Sequence, residues 1–99
     1  MNIYTGTEAV FGIQLTIDKQ WRYKMTGTDL LTVRMTDSSG FTITKELTED
    51  AVNDIDKTVT VKLTQEETSK FTAGRGRFAA YLNEYAVIPP TEFYVKEAL

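Results

Sequence analysis

Apolar residues recur at every second position along most of this chain, which is the period of a half-buried strand and not of a helix. From Val10 to Ile17 the residues Phe11, Ile13, Leu15 and Ile17 fall on one face, with Gly12, Gln14 and Thr16 on the other, and this predicts one strand. After Asp18-Lys19-Gln20 the alternation resumes: Trp21, Tyr23 and Met25 share a face, with Arg22 and Lys24 opposite. Thr26-Gly27-Thr28-Asp29 predicts a turn. Leu31, Val33 and Met35 form the next inward set. Asp37-Ser38-Ser39-Gly40 then combines side chains that bond their own backbone with a glycine free to take positive φ, so the return through Phe41, Ile43 and Leu47 predicts a hairpin.

Thr48 to Lys57 is acidic and aperiodic, which places it on an exposed loop able to hold a helical turn. Val59, Val61 and Leu63 resume the alternation. Thr64-Gln65-Glu66-Glu67 has the capping-box spacing, in which the Thr and Glu side chains satisfy the orphan amides of a helix start; it predicts a short helical turn near residues 64–70, with Phe71 packing it onto the core. Phe78, Ala80 and Leu82 give the next strand after Gly74-Arg75-Gly76, and Asn83-Glu84 the next turn. The strand that starts at Tyr85 is expected to be interrupted at Pro89-Pro90, since neither proline can donate to a ladder. Thr91 to Lys96 closes the chain with Phe93 and Val95 on one side.

Together these segments predict an all-β antiparallel sandwich of about seven strands. Sixteen threonines agree, because β-branched polar residues suit the solvent face of a sheet. An immunoglobulin-like arrangement is favoured among sandwiches. Leu63, a helical turn and then Gly76-Arg77-Phe78-Ala79-Ala80 follow the corner that leads into the central strand of such domains, with Phe78 at the tyrosine place and Ala80 at the cysteine place. Trp21 is then a candidate core tryptophan of the facing sheet.

Composition narrows the chemistry. Ninety-nine residues make one domain, residues 1–99, and 41% apolar with 25% charged residues is globular usage. The chain has no cysteine and no histidine, so disulfides, thiolates, the commonest metal ligand and the commonest general base are all missing. A net charge of −3 offers no field for nucleic acid or an anionic membrane. Met1 to Glu8 lacks the features of a signal peptide and no apolar run is long enough to span a bilayer, which predicts synthesis in a cytoplasm.

Each candidate site meets a plainer structural reading. Glu49, Asp50, Asp54 and Asp56 offer hard oxygens, but their spacing fits no calcium loop, and a solvated acidic loop is favoured. Glu66 and Glu67 are adjacent on a helical turn and point about 100° apart, so capping accounts for them better than acid–base work. Gly74-Arg75-Gly76-Arg77 is too short for an arginine-glycine nucleic-acid tract and reads as a flexible strand entry with exposed cations. Trp21, Tyr23 and Met25 are the candidate partner-binding residues, with burial in the core as the commoner outcome at strand spacing; Trp21 with Tyr23 also suggests an aromatic platform for a sugar ring, the basis of an alternative reading as a carbohydrate-binding module. Tyr81, Tyr85 and Tyr94 pose the same question more weakly. No nucleophile has a visible base, so no catalytic residue, cofactor or metal ligand is nominated and the chain is expected not to be an enzyme.

A resemblance adds to this. Phe11-x-Ile13-x-Leu15, the run Asp29 to Gly40, Val59-Thr60-Val61-Lys62-Leu63-Thr64-Gln65-Glu66-Glu67-Thr68 with Phe71-Thr72-Ala73-Gly74, and Glu92-Phe93-Tyr94-Val95-Lys96 together resemble the immunoglobulin-like amino-terminal domain of phage and prophage baseplate upper proteins and related tail proteins of Gram-positive hosts. This sequence departs from that family at Ile88-Pro89-Pro90-Thr91, where a glycine-bearing turn is usual. The resemblance implies a non-enzymatic structural module of a tail, baseplate or other virion assembly. Its expected partners are other virion proteins and copies of itself, with no nucleic acid and no membrane, and its expected place is the virion.

Overall fold

A computed structural model describes residues 1–14, 16–17, 21–22, 28–53, 58–83 and 85–97, with the backbone alone at 16–17, 21–22, 53, 85 and 89. The strands are β1 (Asn2–Tyr4), β2 (Ala9–Ile13), β3 (Thr16–Ile17), β4 (Trp21–Arg22), β5 (Leu31–Thr36), β6 (Thr42–Leu47), β7 (Val52–Asn53), β8 (Thr58–Leu63), β9 (Gly74–Leu82) and β10 (Tyr85–Lys96). A 3₁₀ turn (Glu49–Ala51) precedes β7, and helix α1 (Gln65–Ser69) joins β8 to β9. Among the described residues five strands form one sheet in the order β1-β10-β9-β5-β6, three form a second in the order β2-β8-β7, and β3 pairs with β4 alone. All pairings are antiparallel except β1 with β10.

The protein is an all-β sandwich because alternate residues of both sheets meet in one core. Leu31, Val33 and Met35 of β5, Val61 and Leu63 of β8, Ala80 of β9 and Phe93 of β10 are fully buried. All five phenylalanines form one continuous row across the layers. Phe11 lies 6.4 Å from Phe78, Phe78 6.3 Å from Phe93, Phe93 5.9 Å from Phe71 and Phe71 6.1 Å from Phe41, in tilted or edge-on geometries that suit the ring quadrupoles. Gly76 is needed where the row passes over β9: a Cβ there would lie 2.6 Å from the Thr36 carbonyl and 2.7 Å from the Phe93 ring.

The expected hairpin, capping box and buried Phe71 are all present. Four local expectations are corrected. The single strand from Val10 to Ile17 is two, because the β2 ladder with β8 ends at Ile13 opposite Val59 and the chain then pairs Thr16–Ile17 with Trp21–Arg22. Trp21 thereby stands in that separate two-stranded ribbon and in neither sheet of the sandwich. The loop from Thr48 includes β7, whose Val52 pairs with Val59. Pro89-Pro90 does not end its strand: β10 runs on through register shifts between Ala86 and Ile88 and between Ile88 and Thr91, so the prolines sit in a bulge opposite Ala79 where no ladder donor is required. Among the described residues no helix is long and apolar enough to cross a membrane.

Candidate interaction face

Cross-strand partners share a sheet face, so the ladder registers fix which residues point away from the core. Thr32 stands between Glu46 and Tyr81, Arg34 between Thr44 and Ala79, and Thr36 between Thr42 and Arg77. Arg77 also faces Glu92, and Arg75 faces Tyr94. The outer face of the five-stranded sheet therefore carries three of the chain's four arginines, with Tyr81 and Tyr94 among threonines. Arg75 pairs with Glu92 at 3.4 Å, an exposed contact worth little in water. The Arg34 guanidinium lies over the Tyr81 ring, 5.5 Å from its centroid, within the range of a cation–π contact. Among the described residues neither Arg34 nor Arg77 is in an ion pair.

Two open hollows lie on this face. One is lined by Leu30, Thr32, Arg34, Glu46, Tyr81 and Asn83. The other lies among Arg34, Arg75, Arg77, Ser38, Tyr81 and Pro90. Ala79, the small residue between Arg34 and Arg77, is buried although it points outward, because its longer neighbours cover it. Such a face can seat a partner's carboxylates between guanidiniums and its apolar groups against tyrosine rings.

Polar anchors hold the face in place. Asp37 is buried at the end of β5, and its Oδ1 accepts from the Ser39 amide at 2.9 Å, the Ser39 hydroxyl at 2.7 Å and the Phe41 amide at 3.0 Å. Its Oδ2 accepts from the Thr72 amide at 2.8 Å, tying the β5–β6 turn to the segment that leads into β9. Burial pushes this carboxyl up, but the donors from Thr72, Ser39 and Phe41 together outweigh it and hold it below the ordinary value of 3.8. Asn83, at φ 50°, closes the other end of the sheet: its Oδ1 accepts from the Leu30 amide at 2.9 Å and its Nδ2 donates to Asp29 at 2.7 Å.

Glu67 caps α1 by accepting from the Thr64 amide at 2.9 Å, while its own amide donates to the Thr64 hydroxyl at 3.2 Å. It also meets the Lys45 ammonium at 2.6 and 2.7 Å. Hydrogen bonds from Lys45 and Thr64 hold it below the ordinary 4.5, against the upward push of burial. The lowered carboxyls of Asp37 and Glu67 are thus both accounted for by structural bonds. Glu66 is exposed.

Of the residues singled out in the sequence, Trp21 has its backbone in β4, while its side chain, Tyr23 and Met25 lie outside the described residues. Glu49 and Asp50 stand exposed on the 3₁₀ turn, and Asp54 and Asp56 lie outside the described residues. No group of three or more acidic side chains converges among the described residues. Tyr81 is half-buried under Arg34, Tyr94 is exposed on the outer face, and the Tyr85 side chain lies outside the described residues. The Arg75–Arg77 run is the part of the sequence reading that gains most, since both cations belong to the outer face of β9 beside Arg34. The partnership of Arg34 with Tyr81 was not seen in the sequence; only the strand order could have supplied it. Comparison with protein-family models, with curated proteins and with solved structures finds no match to this chain.

Proposed function

We propose that the chain is a non-enzymatic structural module that acts by protein-to-protein contact in a phage or prophage tail, baseplate or other virion assembly, with the outer face of the five-stranded sheet as its contact surface. The observation that carries this is the concentration of cations: three of four arginines stand on one face of an otherwise acidic chain, two of them outside any ion pair among the described residues, beside tyrosines. Arginine and tyrosine are the residue types enriched where proteins meet. The strand order supports the immunoglobulin-like reading on which the resemblance rests. β2, β8 and β7 face β10, β9, β5 and β6, and the first strand crosses over to pair in parallel with the last.

Mass spectrometry of purified particles tests the proposal, using the full chain and an Arg34→Thr/Arg77→Thr variant that keeps β propensity while removing both guanidiniums. The expected result is the wild-type chain among the particle proteins and the variant lost from them with its melting temperature unchanged. A chain missing from particles, or a variant incorporated as well as wild type, overturns the proposal.

A further inference from the structure

We infer that two copies of the chain pair edge to edge through β6, antiparallel about a two-fold axis at Thr44, so that two five-stranded sheets become one of ten. The inference rests on the reading of the chain as a contact module and names a partner and a surface for it.

Among the described residues β6 ends its sheet with β5 as its single ladder neighbour. The Asp37 amide donates to the Phe41 carbonyl at 2.9 Å, which makes 37 and 41 a hydrogen-bonded pair. Bonded pairs alternate in an antiparallel ladder, so Met35–Ile43, Val33–Lys45 and Leu31–Leu47 are bonded too. The amides and carbonyls of Thr42, Thr44 and Glu46 then point to the free side. The opposite end of the sheet offers little edge for such pairing: its terminal strand β1 has three residues, and the stretch of β10 beyond β1 is bulged and carries both prolines. In the smaller sheet β7 has two residues, and β2 shares a hollow with β1.

The free edge is complementary to itself. With Thr44 on the axis, Thr44 meets Thr44 and each Thr42 meets the other copy's Glu46, giving three bonded pairs of two hydrogen bonds each. On the core-side face Phe41, 38% exposed in the single chain, comes opposite Leu47, and Ile43 comes opposite Lys45. Centring on Lys45 instead places two ammonium groups directly opposite, which is unfavourable, and centring on Ile43 leaves two bonded pairs within the strand. An inward-pointing lysine ordinarily guards an edge against addition, because a new strand would strand its charge. Here Glu67 of the same chain already holds the Lys45 ammonium, so the guard is neutralised.

The test uses the whole chain, which has no cysteine of its own. Sedimentation equilibrium is expected to show a dimer that Thr44→Pro converts to monomer, since that amide is not used within the chain's own ladder and proline is tolerated at an edge. Thr44→Cys places two sulfurs across the axis at a separation a disulfide can span, and mild oxidation is expected to cross-link it about a hundredfold faster than the Glu66→Cys control on α1. A monomeric wild type, a dimer that survives Thr44→Pro, or a Thr44→Cys variant that cross-links no faster than the control overturns the pairing. Each of those results leaves the outer-face reading standing, because that reading is measured by incorporation into particles and not by self-association.

Discussion

Asp37→Asn isolates the bond that fastens the two halves of the large sheet's lower end. In the wild type, four donors converge on one carboxylate, three on Oδ1 and the Thr72 amide on Oδ2. The amide side chain can keep the three bonds to Oδ1, but its NH₂ replaces Oδ2 and points a donor at the Thr72 donor. A hydrogen bond to a charged group contributes about 1.5–3 kcal/mol, and turning a donor against the part-buried Thr72 amide adds to that loss. The substitution is therefore expected to cost about 2–4 kcal/mol in all. For a domain of this size that lowers the melting temperature by about 10–25 °C. The pH dependence has a definite sign. The carboxyl of the folded protein titrates below the ordinary 3.8, so its contribution is fully present above that pH and is lost as pH falls through the lower folded value. Urea unfolding of both proteins at neutral pH and at a series of lower pH values should show a gap that is wide at neutral pH and narrows as the pH falls below 3.8 through the lower folded value, where the wild-type side chain takes up its proton. A neutral-pH gap under about 0.5 kcal/mol, or one that does not change on acidification, would refute this account of Asp37.

Gly76→Ala forces a methyl group against the Thr36 carbonyl and the Phe93 ring; an overpacking cost of about 1–3 kcal/mol is expected, read as a lower urea midpoint, and an unchanged midpoint would mean that the phenylalanine row can shift at no cost. Thr64→Ala removes the acceptor for the Glu67 amide at the start of α1, and calorimetry should register a loss of about 1 kcal/mol; no loss would show that α1 is held by Phe71 and Thr68 alone.

The strands that could be read from the sequence are those whose inner face is set by their own alternation. Leu31-Val33-Met35, Val59-Val61-Leu63 and Phe78-Ala80-Leu82 need no partner to declare a buried side. β1 and β7 carry no such signal. Asn2–Tyr4 has one inward residue, Ile3, and becomes a strand through its parallel ladder with Tyr94 to Lys96; Val52–Asn53 does so through β8. Pro89-Pro90 was legible as a break in donors but not as a bulge, since that depends on two residues facing the single Ala79 across the ladder. Asp37 was legible as a turn residue through Ser39, whereas its bond to Thr72 joins segments 35 residues apart that only the fold brings together. The outer face has the same origin. Arg34 and Arg77 are ordinary exposed cations until β5 and β9 are known to be neighbours.

The two surfaces differ in what protects them. A sheet face made of arginines, threonines and a half-buried tyrosine is kept hydrated by its charge, so it can remain uncovered in the single chain. An edge strand is protected only if something interferes with addition, and the chain uses three separate devices for this: prolines on β10, bulges beside them, and brevity on β1 and β7. β6 has the fourth device, an inward lysine, yet the same carboxylate that caps α1 removes its effect. Lys45 therefore contributes to the tie between the sheet edge and the helical corner, and covering it with another strand costs less than covering an unpaired lysine because its charge is already matched. That is why the open edge and the cationic face belong to one surface: any copy that adds at β6 continues the outer face outward from Thr44, and sets a second Arg34 in the same row of side chains.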